Sequence, residues 1–199
     1  IKFKIEKMSK IKVAINGFGR IGRVFTRALM NHPSIELIAI NDLVDTSILA
    51  HLLKYDTVHG KLLNEVSSDE SSISIDGKPI KVYSLKDPEK LPSGELEIDF
   101  GIESTGVFRS LDGAKKHVTA GAKKVILTAP SEVDAIKTLV LGVNESILNG
   151  EETIISNASC TTNNAAPMIK IIDELCGIEQ AYITTVHSYT TDQSLHDQP

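Results

Sequence analysis

The stretch Gly17-Phe18-Gly19-Arg20-Ile21-Gly22 constrains the fold of this chain more than any other, because of what flanks it. Residues 11–15 (IKVAI) ahead of it read as a buried strand. Behind it, Ile21, Val24, Phe25, Ala28 and Leu29 fall at the i, i+3, i+4, i+7, i+8 spacing of one helical face. Pro33 closes that helix and residues 37–40 (LIAI) supply a second strand, giving a unit of about thirty residues, the length of a right-handed βαβ crossover. In such a unit each glycine has a task. Gly17 makes the tight turn, Gly19 lets backbone approach a pyrophosphate, and Gly22 lets helix pack on strand. The free N–H groups at the helix start then face the phosphates.

The pattern continues along the chain. Ile48, Leu49, Leu52 and Leu53 suggest a helix, residues 72–83 alternate around an Asp76-Gly77 hairpin signal, and further strands are expected at 98–103, 124–128, 139–143 and 154–155. A helix over 111–120 ends at Gly121. The predicted fold class is therefore α/β, a Rossmann-type doubly wound dinucleotide-binding sheet with an antiparallel insertion. After Ser156 a helix over 159–175 leads to the alternating segment 181–186 (AYITTV), read as the first strand of an α+β catalytic domain. That strand needs partners that the residues after it are too few to provide, so the chain reads as incomplete at Pro199. The expected division is a leader or extension at 1–7, a cofactor domain at 8–157 and the beginning of a catalytic domain at 158–199.

Asp42 stands twenty residues beyond Gly22, at the end of the second strand. A carboxylate there accepts from both adenosine-ribose hydroxyls and repels a 2′-phosphate, which favours NAD over NADP. The competing role for Asp42 is a helix cap before Ser47.

Cys160 opens the late helix. A thiol at a helix amino-terminus is acidified by the dipole and nearby N–H groups, which makes it a candidate nucleophile. His187, at the end of the 181–186 segment, is its candidate base. Cys176 reads as a buried, inert thiol. Sixteen residues of helix would hold the two sulfurs roughly 24 Å apart, too far for a disulfide. The other histidines, His32, His51, His59, His117 and His196, lack metal-ligand spacing with the cysteines. A nucleophilic thiol beside a nicotinamide suits aldehyde oxidation: an aldehyde held as a thiohemiacetal can give up hydride and leave an activated thioester.

Charge and hydropathy narrow the class further. With 26 acidic against 21 basic residues the net charge is −5, and no basic cluster marks a nucleic-acid face. Apolar runs are strand-length, short of the roughly 20 residues that span a bilayer. Free thiols and the lack of a signal-peptide core before the first strand lead to an expected cytoplasmic location, with neither nucleic acid nor membrane as partner.

Residues 16–23 (NGFGRIGR), 55–61 (YDTVHGK), 103–108 (ESTGVF), 156–163 (SNASCTTN) and 187–193 (HSYTTDQ) together resemble phosphorylating glyceraldehyde-3-phosphate dehydrogenases in order and position. The resemblance implies oxidation of glyceraldehyde 3-phosphate with NAD and inorganic phosphate to 1,3-bisphosphoglycerate, a step of glycolysis and gluconeogenesis, by a homotetramer. It implies that Arg20 and Ile21 offer backbone to the pyrophosphate and that Thr105 and Ser131 line the cofactor path. It further implies that Ser159 and Thr161 serve the inorganic phosphate, and Thr190 and Asp192 the substrate phosphate. Leu43 and Pro199 resemble the NAD-using members. Asn164 departs from the family, which usually has a second cysteine there. The family's further arginine, threonine and asparagine ligands lie beyond Pro199, so this stretch alone is expected to bind NAD weakly and turn over little. Erythrose-4-phosphate dehydrogenase and a non-catalytic NAD-binding fragment are the alternatives.

Overall fold

A computed structural model of the chain describes residues 10–190. Strand β1 (Ile11–Asn16) leads through the glycine turn into helix α1 (Arg20–Leu29) and back to β2 (Ile35–Asn41). Helix α2 (Thr46–Lys54) follows, then β3 (Val66–Ser68), β4 (Ser72–Ile75) and β5 (Lys78–Tyr83). The second half runs β6 (Phe100–Glu103), α3 (Leu111–Thr119), β7 (Lys124–Leu127), β8 (Lys137–Thr138), β9 (Ile154–Ser156) and α4 (Cys160–Cys176). The strands form one sheet in the order β3-β4-β5-β2-β1-β6-β7-β9-β8. All pairings are parallel except β3–β4 and β4–β5. This is the doubly wound Rossmann-type α/β sheet, with the hairpin as its antiparallel insertion.

The hairpin follows from its turn. Asp76 (φ 49°) and Gly77 (φ 75°) both take left-handed backbone, as a two-residue type I′ turn requires. Ile15, Phe18, Ile40, Leu49, Leu53, Ile73 and Ile102 form the main core, and Ala114, Val125, Leu127, Ile136 and Ile154 a second one beneath α3. The chain leaves β2 and later re-enters on the other side of β1 as β6. The winding therefore reverses between β1 and β6, and ligands of open α/β sheets bind outside the carboxyl ends of the strands at such a reversal.

Three sequence expectations are corrected. Helix α1 buries Gly22, Arg23, Thr26 and Leu29, whereas Ile21 and Ala28 are exposed. The close approach of Gly22 to β1 turns the helix by about one residue from the apolar stripe. Both polar side chains so buried make hydrogen bonds: Arg23 donates to the Phe18 carbonyl at 3.0 Å and Thr26 to the Gly22 carbonyl at 2.9 Å. Residues 139–143 are not a strand, because the Asn144 carboxamide oxygen accepts from Val140 N–H at 2.8 Å and Gly142 takes φ 80°, which turns the chain after the short edge strand β8. Residues 181–186 pair with no strand among the described residues, and Tyr182, Ile183 and Val186 are exposed. Among the described residues no helix is long and apolar enough to cross a membrane.

Candidate active site

The glycine turn is shaped by contacts that leave no room for side chains. Gly17 has φ 91°, and a Cβ there would lie 2.6 Å from Thr105 N; a Cβ on Gly22 would lie 2.3 Å from the Gly17 carbonyl oxygen. Gly19, the N-cap of α1, differs: nothing lies within 4 Å of its would-be Cβ, so this glycine borders open space at the helix start. Tight packing inside and open space outside is the shape that suits a pyrophosphate set against the N–H groups of Arg20 and Ile21. Ile21 is half exposed, its side chain turned from the core.

Asp42 follows β2 and reaches back to this turn. Its carboxylate accepts from Phe18 N–H at 2.6 Å and from Val44 N–H at 3.1 Å, which places it at the rim of the open space. It does not cap α2; Asp45 holds that position. Thr105 packs against Gly17 from the β6 side, and Ser104 donates to the Gly17 carbonyl at 2.6 Å. Ser131 lies beyond the end of β7, where its hydroxyl closes a local turn with Val133.

Asp56 and Glu103, to which the sequence assigned no role, also hold the turn. Arg20 forms an ion pair with Asp56 at 3.0 Å, anchoring the helix start to the 55–61 loop. Burial pushes the Asp56 carboxyl up, but the N–H groups of His59 and Val58 and the Arg20 guanidinium outweigh it and leave the value below the ordinary one. The YDTVHGK motif was visible in the sequence, but a salt bridge across 36 residues is not.

The second half of the site is built at the start of α4. β9 ends at Ser156, whose hydroxyl accepts from Ala158 N–H, and Ala158 adopts φ 60°. A non-glycine residue there stores backbone strain, and the result is a sharp turn from strand into helix. Ser159 caps the helix by accepting from Thr162 N–H at 2.9 Å, and Asn163 donates to the carbonyls of Asn157 and Ser159. Cys160 is therefore the first residue of a firmly capped helix, exposed and free. Thr161 sits beside it in the first turn.

His187 completes the pair: its Nε2 lies 3.1 Å from Cys160 Sγ. Its Nδ1 lies 2.6 Å from the Ser188 carbonyl, which can only accept, so Nδ1 carries a proton and Nε2 is the nitrogen that exchanges one with sulfur. The Cys160 thiol is pulled below its ordinary value by the His187 contact, with burial opposing and Thr161 assisting. His187 is pushed up, first by the Ser188 carbonyl and then by Cys160. Alkylation by iodoacetamide should therefore rise with pH at a midpoint below that of an ordinary thiol. A His187→Asn variant should move the midpoint upward, and Cys160 should be labelled before Cys176. A wild-type midpoint at or above the variant's contradicts the pairing.

Other expectations divide. Cys176 is exposed rather than buried, with its thiol donating to the Ile172 carbonyl at 3.3 Å, because α4 buries none of its residues. Thr190 is half-buried at the end of the described chain, and Asp192 lies outside the described residues. The glycine turn follows β1 and Cys160 follows β9. Both therefore leave the same carboxyl edge of a parallel sheet, three strand spacings or about 14 Å apart.

Residues 11–111 match the model of the glyceraldehyde 3-phosphate dehydrogenase NAD binding domain, and residues 159–199 match that of the C-terminal domain. The chain belongs to the glyceraldehyde-3-phosphate dehydrogenase family. Among its relatives, the Thermotoga maritima glyceraldehyde-3-phosphate dehydrogenase is 55% identical over 190 residues, covering 94% of this chain and 57% of that protein. The Clostridium pasteurianum protein is 50% identical over 188 residues, with 94% and 56% covered. Glyceraldehyde-3-phosphate dehydrogenase 1 of Bacillus subtilis is 50% identical over 190 residues, with 95% and 56% covered. The chain thus spans somewhat over half the length of these dehydrogenases. Its glycine turn lies within the matched NAD-binding domain, and its cofactor is NAD.

Proposed function

We propose that the protein carrying this chain oxidises glyceraldehyde 3-phosphate to an acyl phosphate, using NAD and inorganic phosphate. The observation that carries the reading is the 3.1 Å contact between Cys160 Sγ and His187 Nε2 at the capped start of α4, on the sheet edge that also bears the glycine turn. The cofactor lies in the open space at Gly19, held by the N–H groups of Arg20 and Ile21, by Asp42 at the ribose and along Thr105 and Ser131. Bound there, NAD supplies the acceptor for a hydride.

The chain's own residues do the rest. Cys160 Sγ adds to the aldehyde carbon, and the carbonyl oxygen takes the proton held at His187 Nε2. Nε2, now vacant, accepts that hydroxyl proton again as the carbon gives up hydride, and the carbon becomes a thioester on Sγ. A phosphate oxygen then attacks the thioester carbon, the C–S bond breaks, and Cys160 leaves as thiolate. Ser159 and Thr161 flank the sulfur and serve the incoming phosphate; Thr190 and Asp192 serve the phosphate of the substrate. Residues 8–157 form the cofactor domain and 158–199 open the catalytic domain of a cytoplasmic homotetramer.

At its natural length the protein should reduce NAD with glyceraldehyde 3-phosphate only when phosphate is present, and with a kcat/KM well above that for erythrose 4-phosphate. A preference for the four-carbon aldehyde would reassign the substrate, and phosphate-independent turnover would reassign the reaction. A polypeptide ending at Pro199 should bind NAD weakly and turn over little.

A further inference from the structure

One rung of the sheet is polar, although it is buried. Asn41, Asn16 and Glu103 stand opposite one another on β2, β1 and β6, and they are exposed by only 6%, 4% and 2%. The rung before it, Ile40, Ile15, Ile102 and Ile126 across β2, β1, β6 and β7, is apolar throughout and does the packing such a position calls for. Burying a carboxylate is costly unless its oxygens are fully bonded, so the polar rung asks for a reason beyond sheet stability.

Its bonds point to the reason. Asn41 donates to Asn16 Oδ1 at 2.7 Å, and Asn16 donates to Glu103 Oε2 at 2.6 Å. His117, buried on α3, meets the same Oε2 through its Nε2 at 2.8 Å. The other oxygen, Oε1, accepts from Thr105 N–H at 2.7 Å and from the Thr105 hydroxyl, which in turn accepts from Val107 N–H. At the far end Asn41 exchanges two hydrogen bonds with the backbone of Leu85. The carboxylate therefore gathers donors from β1, from α3 and from the loop after β6, and that loop is the one whose Thr105 N packs against Gly17.

We propose that Glu103 is a positioning residue for NAD: with His117 behind it, it fixes Thr105 against Gly17 and so holds the glycine turn in its binding shape. The proposal rests on the function assigned above and adds Glu103 and His117, neither of which faces the cofactor's space, to the residues that govern affinity. Every contact on the Glu103 oxygens is made by a donor, with His117 donating from Nε2. A glutamine there must turn its NH2 toward one of two donor pairs.

The test uses the protein at its natural length, with NAD binding measured by calorimetry. Hydrogen exchange at residues 104–107 is followed in the NAD-free protein, together with the rate of Cys160 alkylation. Glu103→Gln and His117→Leu should each weaken NAD by about ten- to hundredfold, the range for losing a hydrogen bond to a charged group. Both should speed exchange at 104–107 and leave the Cys160 rate near wild type. His117→Gln, which keeps a donor toward Oε2, should restore affinity to within about threefold of wild type by the same bond count. If Glu103→Gln does not fold, the two His117 variants decide. Wild-type affinity in Glu103→Gln and His117→Leu overturns the proposal. So does equal weakening by His117→Gln and His117→Leu, or a fall in Cys160 reactivity in step with NAD affinity, since each marks a merely structural role. Failure of the unaltered protein to bind NAD would remove the underlying functional reading instead.

Discussion

Replacing Cys160 with serine should lower kcat with glyceraldehyde 3-phosphate by about 10⁴-fold or more, the scale seen when a covalent nucleophile is removed. Folding should be untouched. The thiol is exposed and its bonds are to His187 and its own helix turn, so the stability change should stay within about 0.5 kcal/mol, as for surface substitutions generally. His187→Asn should cost less, about 10²- to 10⁴-fold, because it removes proton transfer while leaving the sulfur in place. The two variants also differ in pH dependence. His187 titrates above the ordinary histidine value chiefly because Nδ1–H is held by the Ser188 carbonyl, a contact that persists when the sulfur is bonded to carbon. Only deprotonated Nε2 can accept the hydroxyl proton, so activity should fall as pH drops through that raised value, and His187→Asn should lose this acid limb. Steady-state rates over a pH series, with thermal melts of each variant, check all of this. A Cys160→Ser enzyme retaining a tenth of wild-type turnover would move the chemistry to another group.

How much of this was legible before any coordinates depended on range. Local devices could be read directly: the Asp76-Gly77 turn, the glycine spacing at 17–22 and the start of the late helix at Ser159-Cys160 each act over a few residues, and each occurs where the sequence indicated. The pairing of Cys160 with His187 spans 27 residues, and only chemical type suggested it. The contacts of Glu103 with Asn16 and of Arg20 with Asp56 span 87 and 36 residues, and no periodicity reveals which polar side chains a parallel sheet will set side by side. The buried face of α1 departs from its sequence pattern for the opposite reason. Its apolar stripe was clear, but a backbone contact at Gly22 set the rotation and drew Arg23 and Thr26 inside. Residues 181–186 alternate as a strand does, yet alternation supplies only one side of a ladder. Among the described residues the segment pairs with no strand and stays exposed, as are the side chains of Met168, Ile171 and Leu175 on helix α4.

The three glycines of the turn should respond differently to the same added methyl group, and the contrast separates folding from binding. In Gly22→Ala the new Cβ meets the Gly17 carbonyl oxygen at 2.3 Å, a backbone atom that cannot swing aside, so α1 must lift from β1. Overpacking of this kind costs about 1–3 kcal/mol, more than the roughly 1 kcal/mol that alanine gains over glycine within a helix. A net loss of up to about 2 kcal/mol corresponds to a fall in Tm of up to about 8 °C for a chain of this size. Gly17→Ala combines a 2.6 Å collision with Thr105 N and a φ of 91° that side chains rarely adopt, and it should fall at least as far. Gly19→Ala has neither problem: its φ is −70° and no atom lies within 4 Å of the added carbon. Its Tm should match wild type, yet its affinity for NAD should drop, because the methyl group enters the space through which backbone meets pyrophosphate. Melting curves and NAD titrations on the three variants therefore give two orders of severity. Loss of stability in Gly19→Ala, or undiminished NAD binding by it, would mean that the open space at the start of α1 is not where the dinucleotide lies.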